Sequence, residues 1–190
     1  IVLSDRKPGV TNGIRWLQNP GEDLSQPWEN HFIGAQGKEV AFMHLTDLDG
    51  DGVTDAIGCD RTDNQIWLFK RIDNSGHEWQ EYQLDIPKDA GIAKAVRAGD
   101  IDQDGRLDIV YSANTMGTPG SSGVYWLSYN HEPFAKDWRW HPISGPVGFK
   151  FDRLELVDLD GDGDLDVLTC EENYGPDSKG LGVIWYENPN

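Results

Sequence analysis

Three copies of one acidic nine-residue motif constrain this chain more than any other feature of its sequence. The copies read DLDGDGVTD from Asp47 to Asp55, DIDQDGRLD from Asp100 to Asp108 and DLDGDGDLD from Asp158 to Asp166. Each copy has aspartate at positions 1, 3, 5 and 9 and glycine at position 6. A hard cation such as calcium takes about six to eight oxygen ligands, and alternating carboxylates on a tight turn supply most of them. Each copy therefore predicts a calcium loop.

The predicted ligands in each copy are the four aspartates and the main-chain carbonyl of position 7. They are Asp47, Asp49, Asp51, Val53 and Asp55; Asp100, Asp102, Asp104, Arg106 and Asp108; and Asp158, Asp160, Asp162, Asp164 and Asp166. The motif is not an EF-hand, because position 12 carries no glutamate and a strand-like run follows the ninth residue at once. Unrelated acidic turns are the alternative, and three copies with one spacing argue against it. The guanidinium of Arg106 is expected to weaken the second site.

The motifs belong to a longer repeat. Their last aspartates are residues 55, 108 and 166, and a period of about fifty residues is typical of propeller blades or similar arrays. Each unit contains four short runs rich in Val, Ile, Trp and Tyr, separated by Gly, Pro, Asp and Asn, which predicts four strands. The segment from Ala90 to Ala98 is the best helix candidate, but the repeat makes it a strand. The predicted units are a part-blade at 1–33, blades at 40–84 and 93–143, and a part-blade at 151–190.

These units predict an all-β fold, namely a β-propeller of four-stranded blades. The chain supplies about four blades or part-blades, and we expect them to belong to a larger ring of seven or eight blades, since natural propellers have about four to eight. The run Ile1–Asp5 fits the column that follows the motif, so we expect a further motif before it in a longer chain. Either the remainder of a longer chain or self-association would complete the ring.

Composition narrows the function. A net charge of −17 argues against nucleic acid as a partner, because phosphates need basic patches. No apolar run approaches the length of a membrane span. The two cysteines, Cys59 and Cys170, share a column in blades that are not neighbours, so we expect free, buried thiols.

The repeats resemble a known family. The loop D-x-D-x-D-G-x-x-D, the strand G-[IV]-x-W and the strand W-x-x-H-x-I are similar to FG-GAP and VCBS repeats, the integrin-α-like β-propellers common in secreted bacterial proteins. The resemblance implies about three structural Ca²⁺ ions, one in each acidic loop. It also implies a protein that is extracellular or attached to the cell surface, with adhesion or carbohydrate binding as its role.

Candidate ligand-binding residues lie at two places. Loops between the second and third strands of each blade should lie on the face opposite the calcium loops, and binding residues concentrate on such loops. The candidates there are Arg6, Arg61, Asn114, Tyr174 and Lys179. His44 and Arg97 share an inner-strand column with Glu155 and would line a central channel. Tyr129 and Trp140 lie outside the recurring aromatic columns and are candidates for stacking on sugar rings.

Three functions remain open from the sequence. A non-catalytic extracellular module that binds a polysaccharide or a cell-surface protein is the first expectation, because no nucleophile, zinc or phosphate-loop motif is present. A polysaccharide-active enzyme, either a lyase or a sugar dehydratase, is the second, and we assign no catalytic residue. A purely structural repeat of an adhesin or fibre is the third.

Overall fold

All regular structure in the described part of this protein is β-strand. The computed structural model describes residues 1–6, 12–173 and 180–190. The strands in these ranges are β1 (Val2–Asp5), β2 (Gly13–Gln18), β3 (Glu29–Gly34), β4 (Val40–Thr46), β5 (Asp55–Asp60), β6 (Gln65–Arg71), β7 (Trp79–Asp85), β8 (Ile92–Gly99), β9 (Asp108–Asn114), β10 (Val124–Ser128), β11 (Arg139–Pro142), β12 (Phe151–Val157), β13 (Asp166–Glu171) and β14 (Gly182–Tyr186). Within these ranges no helix is long and apolar enough to cross a membrane.

The strands form four antiparallel sheets, each built from strands that are consecutive along the chain. The first sheet is β1-β2-β3, the second β4-β5-β6-β7, the third β8-β9-β10-β11 and the fourth β12-β13-β14. Meandering sheets of four short strands are the blades of β-propellers. The predicted all-β fold of blade-like sheets is confirmed, and so is the strand assigned to Ala90–Ala98, where β8 lies.

The sheets pack face to face in chain order. The innermost strands β4, β8 and β12 contact one another in that order, and β1 contacts β4. Because side chains alternate along a strand, each sheet can bury one face against the sheet before it and the other against the sheet after it. Three apolar clusters fill the gaps, and pairs that represent them are Ile14 with Phe69, Leu68 with Tyr111, and Val110 with Phe151.

A glycine permits the closest approach between the third and fourth sheets. A Cβ atom on Gly123, just before β10, would lie 1.9 Å from Cδ2 of Phe151. Phe151 is fully buried at the start of β12. No side chain at position 123 would fit without moving the ring, so glycine here is a packing requirement.

The recurring tryptophans stack on the histidines of the neighbouring outer strand. The ring centroids of Trp16 and His31 lie 4.5 Å apart, and those of Trp126 and His141 lie 4.1 Å apart. Leu68 and Tyr82 are paired in the second sheet at the same register. The W-x-x-[HY] strand therefore supplies a flat ring that covers the third strand of its own sheet, a structural role.

The cysteine prediction is correct in one part and wrong in another. Both thiols are free, and Cys59 is buried between the second and third sheets, where burial raises the pKa of its thiol. Cys170 is partly exposed, so its predicted burial is wrong. The reason is its position: it lies on the face of the fourth sheet that points away from the third.

Candidate metal-binding loops

The three acidic motifs join the first and second strands of their units, as turns wrapped around the first aspartate. In the first loop the amides of Asp51 and Gly52 donate to the two carboxylate oxygens of Asp47, at 3.0 and 2.8 Å. Asp100 receives the equivalent bonds from Asp104 and Gly105, at 3.0 and 2.9 Å. The glycine at position 6 has a φ of 86° in both loops, a conformation that side chains rarely adopt.

The ninth aspartate closes each loop. Its Oδ2 accepts a hydrogen bond from the main-chain amide of the second loop residue. The distance is 3.1 Å from Leu48 to Asp55 and also 3.1 Å from Ile101 to Asp108. Leu159 and Asp166 make the same contact at 3.0 Å in the third loop. Each of these aspartates is also the first residue of its strand, and 2% or less of it is exposed. The loop shape is therefore held by carboxylate–amide bonds.

Carboxylate oxygens converge in every loop. One oxygen from each of three aspartates lies within 4.8 Å of the others, and the three groups are Asp47, Asp49 and Asp55; Asp100, Asp102 and Asp108; and Asp158, Asp160 and Asp162. Each group could hold a metal ion. The groups contain positions 1, 3 and 9 in the first two loops and positions 1, 3 and 5 in the third, so the third loop gathers a different part of the predicted set. The predicted carbonyl ligands of Val53, Arg106 and Asp164 stay predictions.

Side-chain cations already contact two of the loops. The ammonium of Lys70 contacts Asp49 and lies 3.1 Å from Asp51. The guanidinium of Arg106 contacts Asp104. Crowded carboxylates repel one another unless positive charge is near, so these two cations stand in for part of the charge that a metal ion would supply. The chemistry of the donor set thus fits a hard divalent cation, and Lys70 is a competitor that the sequence analysis missed.

In the third loop a buried carboxylate makes no hydrogen bond to the part of the chain that the structure describes. Asp164 is 2% exposed, and neither of its carboxylate oxygens finds a hydrogen bond among the described residues. Burial and the neighbouring charges of Asp162 and Asp166 raise the pKa of Asp164. A buried charge without a partner is costly, and a cation held by this loop would lower that cost.

The inner column predicted from the sequence does come together. Arg97 on β8 forms a two-pronged ion pair with Glu155 on β12, with nitrogen–oxygen distances of 2.8 and 2.9 Å. The hydrogen bonds from Arg97 hold the pKa of Glu155 down at about 2. Burial and then the charge of Arg97 lower the pKa of His44 on β4. The histidine is therefore neutral near pH 7, and Arg97 is already fully engaged.

The candidate residues on the opposite face are spread over separate loops. Arg6 is exposed beyond β1, and Arg61 follows β5. Asn114 ends β9, where its Oδ1 accepts the amide of Met116 at 3.0 Å, a contact that shapes the turn. Tyr174 and Lys179 lie outside the described residues.

A groove between the second and third sheets was not foreseen. It has a volume of about 580 Å³ and is lined by Gln80, Tyr82, Tyr129, His131, Pro133 and Phe134 together with four charged side chains, Asp49, Lys70, Arg106 and Glu132. It opens on the same side as the acidic loops, not on the side where ligand residues were predicted. Tyr129 is only 5% exposed and packs on Trp138, and Trp140 packs edge-on against Tyr111, so both are mainly packing residues. In the sequence, the aromatic and histidine residues of the loop after β10 are the feature that could have indicated this groove.

One comparison with known proteins bears on these loops. Residues 47–111 match the FG-GAP-like repeat family, a stretch that runs from the first acidic loop through the second and into β9. No curated protein matches the chain.

Proposed function

Because the chain carries an FG-GAP-like repeat, we propose that it is a calcium-stabilised β-propeller module that works outside the cell and binds carbohydrate. The observation that carries the carbohydrate proposal is the groove between the second and third sheets. Calcium is the cation of choice because all candidate ligands are oxygens. The loops lack the bidentate glutamate of an EF-hand, and weaker sites of this kind suit the millimolar calcium found outside cells.

The groove has the composition of a sugar site. Phe134 is partly exposed and packs on Tyr82 with ring centroids 5.0 Å apart, so Phe134 offers an apolar surface on which the C–H face of a sugar ring can stack. Gln80 and His131 are exposed at its rim and offer hydrogen bonds to hydroxyl groups. Polar and charged side chains make up most of the rest of the lining, and the hydroxyl groups of a sugar can hydrogen-bond to them. The net charge of −17 would repel polyanions, so a neutral glycan fits best.

A catalytic role for the inner column has less support. A lyase needs a base and a free cation that neutralises the sugar carboxylate. His44 is near enough to feel the charge of Arg97, but both guanidinium prongs of Arg97 are bound to Glu155. We therefore keep the polysaccharide-active enzyme as an outcome of the test and not as the proposal.

The test is a glycan array probed with the protein in millimolar calcium and again in chelator. We expect calcium-dependent retention of one class of neutral glycan and no product. Phe134→Ala should weaken that binding at least tenfold, whereas Phe149→Ala, which shortens a partly exposed ring outside the groove, should not change it. Absence of retention in both buffers would contradict the proposal. An unsaturated product absorbing in the ultraviolet would replace it with a lyase.

Removing the competing ammonium should strengthen metal binding at the first loop. Lys70→Gln removes the ammonium that contacts Asp49 and lies 3.1 Å from Asp51, so calcium no longer has to displace it. We expect that loop to bind calcium about tenfold more tightly, equivalent to about 1.4 kcal/mol. Titration calorimetry measures the change. Lys38→Gln, which removes an ammonium paired with Asp63 outside the loops, is the control and should leave affinity unchanged.

Stability without metal should depend on pH in an unusual direction. Burial raises the pKa of Asp55 to about 6 and that of Asp108 to about 7, from an ordinary 3.8, with the neighbouring carboxylates adding to the effect. Through these two carboxyls the folded, metal-free protein binds more protons than the unfolded chain between about pH 4 and 8, and their contribution to its stability rises as the pH falls through that window.

Calcium should reverse part of this trend, because it needs both carboxylates ionised. Melting curves in chelator at pH 8 and pH 5 should show the higher Tm at pH 5, and the gain from calcium should be larger at pH 8. Asp108→Asn should flatten the chelator profile. A metal-free Tm that climbs from pH 5 to pH 8 would contradict the prediction.

A further inference from the structure

Lys70 belongs both to the first acidic loop and to the groove. Its ammonium contacts Asp49 and lies 3.1 Å from Asp51. The same ammonium lies 5.3 Å from the ring centroid of Phe134, and Asp49 is itself part of the groove lining. The loop and the groove therefore share one side-chain cation, which stands between two carboxylates of a candidate metal site and the ring on which a sugar would stack.

Strand register fixes the direction in which this side chain points. Lys70 on β6 pairs with Gln80 on β7, and Leu68 pairs with Tyr82 two residues along. Because side chains alternate along a strand, Lys70, Gln80 and Tyr82 lie on one face of the second sheet, and all three line the groove. An ammonium that leaves the loop therefore stays in the groove, beside side chains that face a ligand.

A calcium ion and this ammonium compete for the same carboxylates. Asp49 supplies one of the converging oxygens of the first loop, together with Asp47 and Asp55. A divalent cation in the loop repels a neighbouring ammonium and takes up the negative charge that had held it. The face of the Phe134 ring attracts a cation and offers the displaced ammonium a new partner. Calcium in the first loop should therefore move Lys70 away from Asp49 and towards the groove.

We propose that Lys70 couples the two sites: calcium in the first loop displaces its ammonium from Asp49 and Asp51 into the groove, where it donates hydrogen bonds to the hydroxyl groups of a bound glycan. A lysine ammonium has three N–H donors and no acceptor, and in the metal-free protein the two carboxylates occupy them. This coupling rests on the proposed carbohydrate function and supplies the reason that binding should depend on calcium. By linkage, the glycan tightens calcium binding by the same factor, about tenfold for a coupling of ordinary size.

The cation of the second loop is placed differently. The guanidinium of Arg106 contacts Asp104 and lies 5.8 Å from the ring centroid of Tyr129. Asp104 is outside the converging group of its loop, which consists of Asp100, Asp102 and Asp108. A metal ion held by that group does not have to displace Arg106, and Tyr129 is only 5% exposed and so offers little surface to a ligand. The coupling is therefore assigned to Lys70.

The first test uses calcium alone. A fluorinated phenylalanine is placed at position 134 of the full chain, and its fluorine resonance is followed by NMR during a calcium titration, while calorimetry reports calcium binding. We expect the resonance to shift as the first loop fills, because the ammonium beside the ring moves. Lys70→Met removes that ammonium and keeps a side chain of similar length, so the shift should be lost.

Two controls accompany this titration. Lys38→Met removes an ammonium that is paired with Asp63 outside the loops, and it should keep the shift. The same label at position 149, on a ring outside the groove, should not respond to calcium. Circular dichroism confirms that each variant remains folded. A wild-type resonance at position 134 that does not move overturns the coupling, whether or not calorimetry reports bound calcium, and so does a full shift in Lys70→Met.

The second test adds an oligosaccharide of the class that the glycan array retains. Wild type should bind it about tenfold more tightly in calcium than in chelator, whereas Lys70→Met should bind it equally in both. Calcium-dependent binding that survives in Lys70→Met would show that the ion itself contacts the sugar, which overturns the role of Lys70.

The two tests separate this coupling from the carbohydrate proposal. Retention of a glycan without any shift at position 134 overturns the coupling and leaves the carbohydrate proposal standing. A shift at position 134 without retention of any glycan supports the movement of Lys70 and overturns the carbohydrate proposal.

Discussion

Calcium is expected to raise the Tm of this protein by roughly 15–30 °C over its value in chelator. A ligand that binds only the folded state at about a hundred times its Kd adds about 2.7 kcal/mol per site. Three loops with converging carboxylates could therefore add about 8 kcal/mol, and each kcal/mol shifts the Tm of a domain this size by roughly 2–4 °C. Differential scanning calorimetry at pH 8 in about 5 mM calcium, set against chelator, measures the shift.

Single substitutions apportion this effect among the loops. Asp49→Asn and Asp158→Asn each remove one ligand from a different carboxylate group, and each should remove about a third of the calcium-dependent gain. Asp85→Asn is the matched control, because its carboxylate hydrogen-bonds Gln65 at 2.8 Å and belongs to none of the groups. A Tm that does not respond to calcium, or an equal loss in the control, would sink the calcium proposal.

Phe151→Ala is expected to lower the free energy of unfolding by about 3–5 kcal/mol, the usual cost of truncating a buried phenylalanine. The ring is fully buried among Ala95, Val110 and Leu154 and fills the space that Gly123 leaves open. Its loss leaves a cavity between the third and fourth sheets that glycine cannot fill. Urea denaturation followed by tryptophan fluorescence measures the change.

Phe149→Ala provides the comparison two residues earlier in the chain. That ring is 38% exposed, so its truncation should cost less than about 1 kcal/mol. If both variants lost the same small amount, the fourth sheet would not be packed on the third as described. If Phe151→Ala unfolded at the same urea concentration as the wild type, the same conclusion would follow.

Local pattern was enough for most of the fold. The bonds that shape each turn join its aspartates to amides no more than about seven residues away, as in the bond from Leu48 to Asp55, so the turn geometry follows from the motif itself. Only the other oxygen of the ninth aspartate accepts amides from further along the chain, from Arg71 for Asp55 and from Asn188 for Asp166. The strand after each ninth aspartate follows from a short run of apolar and small residues, as in Ile109–Ser112, and the repeat corrected the one ambiguous segment at β8. The inner column of His44, Arg97 and Glu155 could also be found, because it needs only the register of the repeat.

Contacts between distant residues could not be read in this way. Lys70 is 21 positions from Asp49, and no repeat column places a cation there, so the competitor in the first loop was missed. The groove depends on how the loop after β10 leans towards β7, and the exposure of Cys170 depends on which sheet covers it. In each case the deciding partner lies on another strand or another sheet.

The sequence by itself determined the acidic loops, the strands around them and the period that makes each unit one sheet, because turn bonding and side-chain alternation act over a few residues. Only the tertiary structure decided which carboxylates converge, which cations compete with a metal ion and where the groove opens. These depend on the stacking of whole sheets, where burial and charge are set by neighbours more than fifty residues away, as for Arg97 and Glu155.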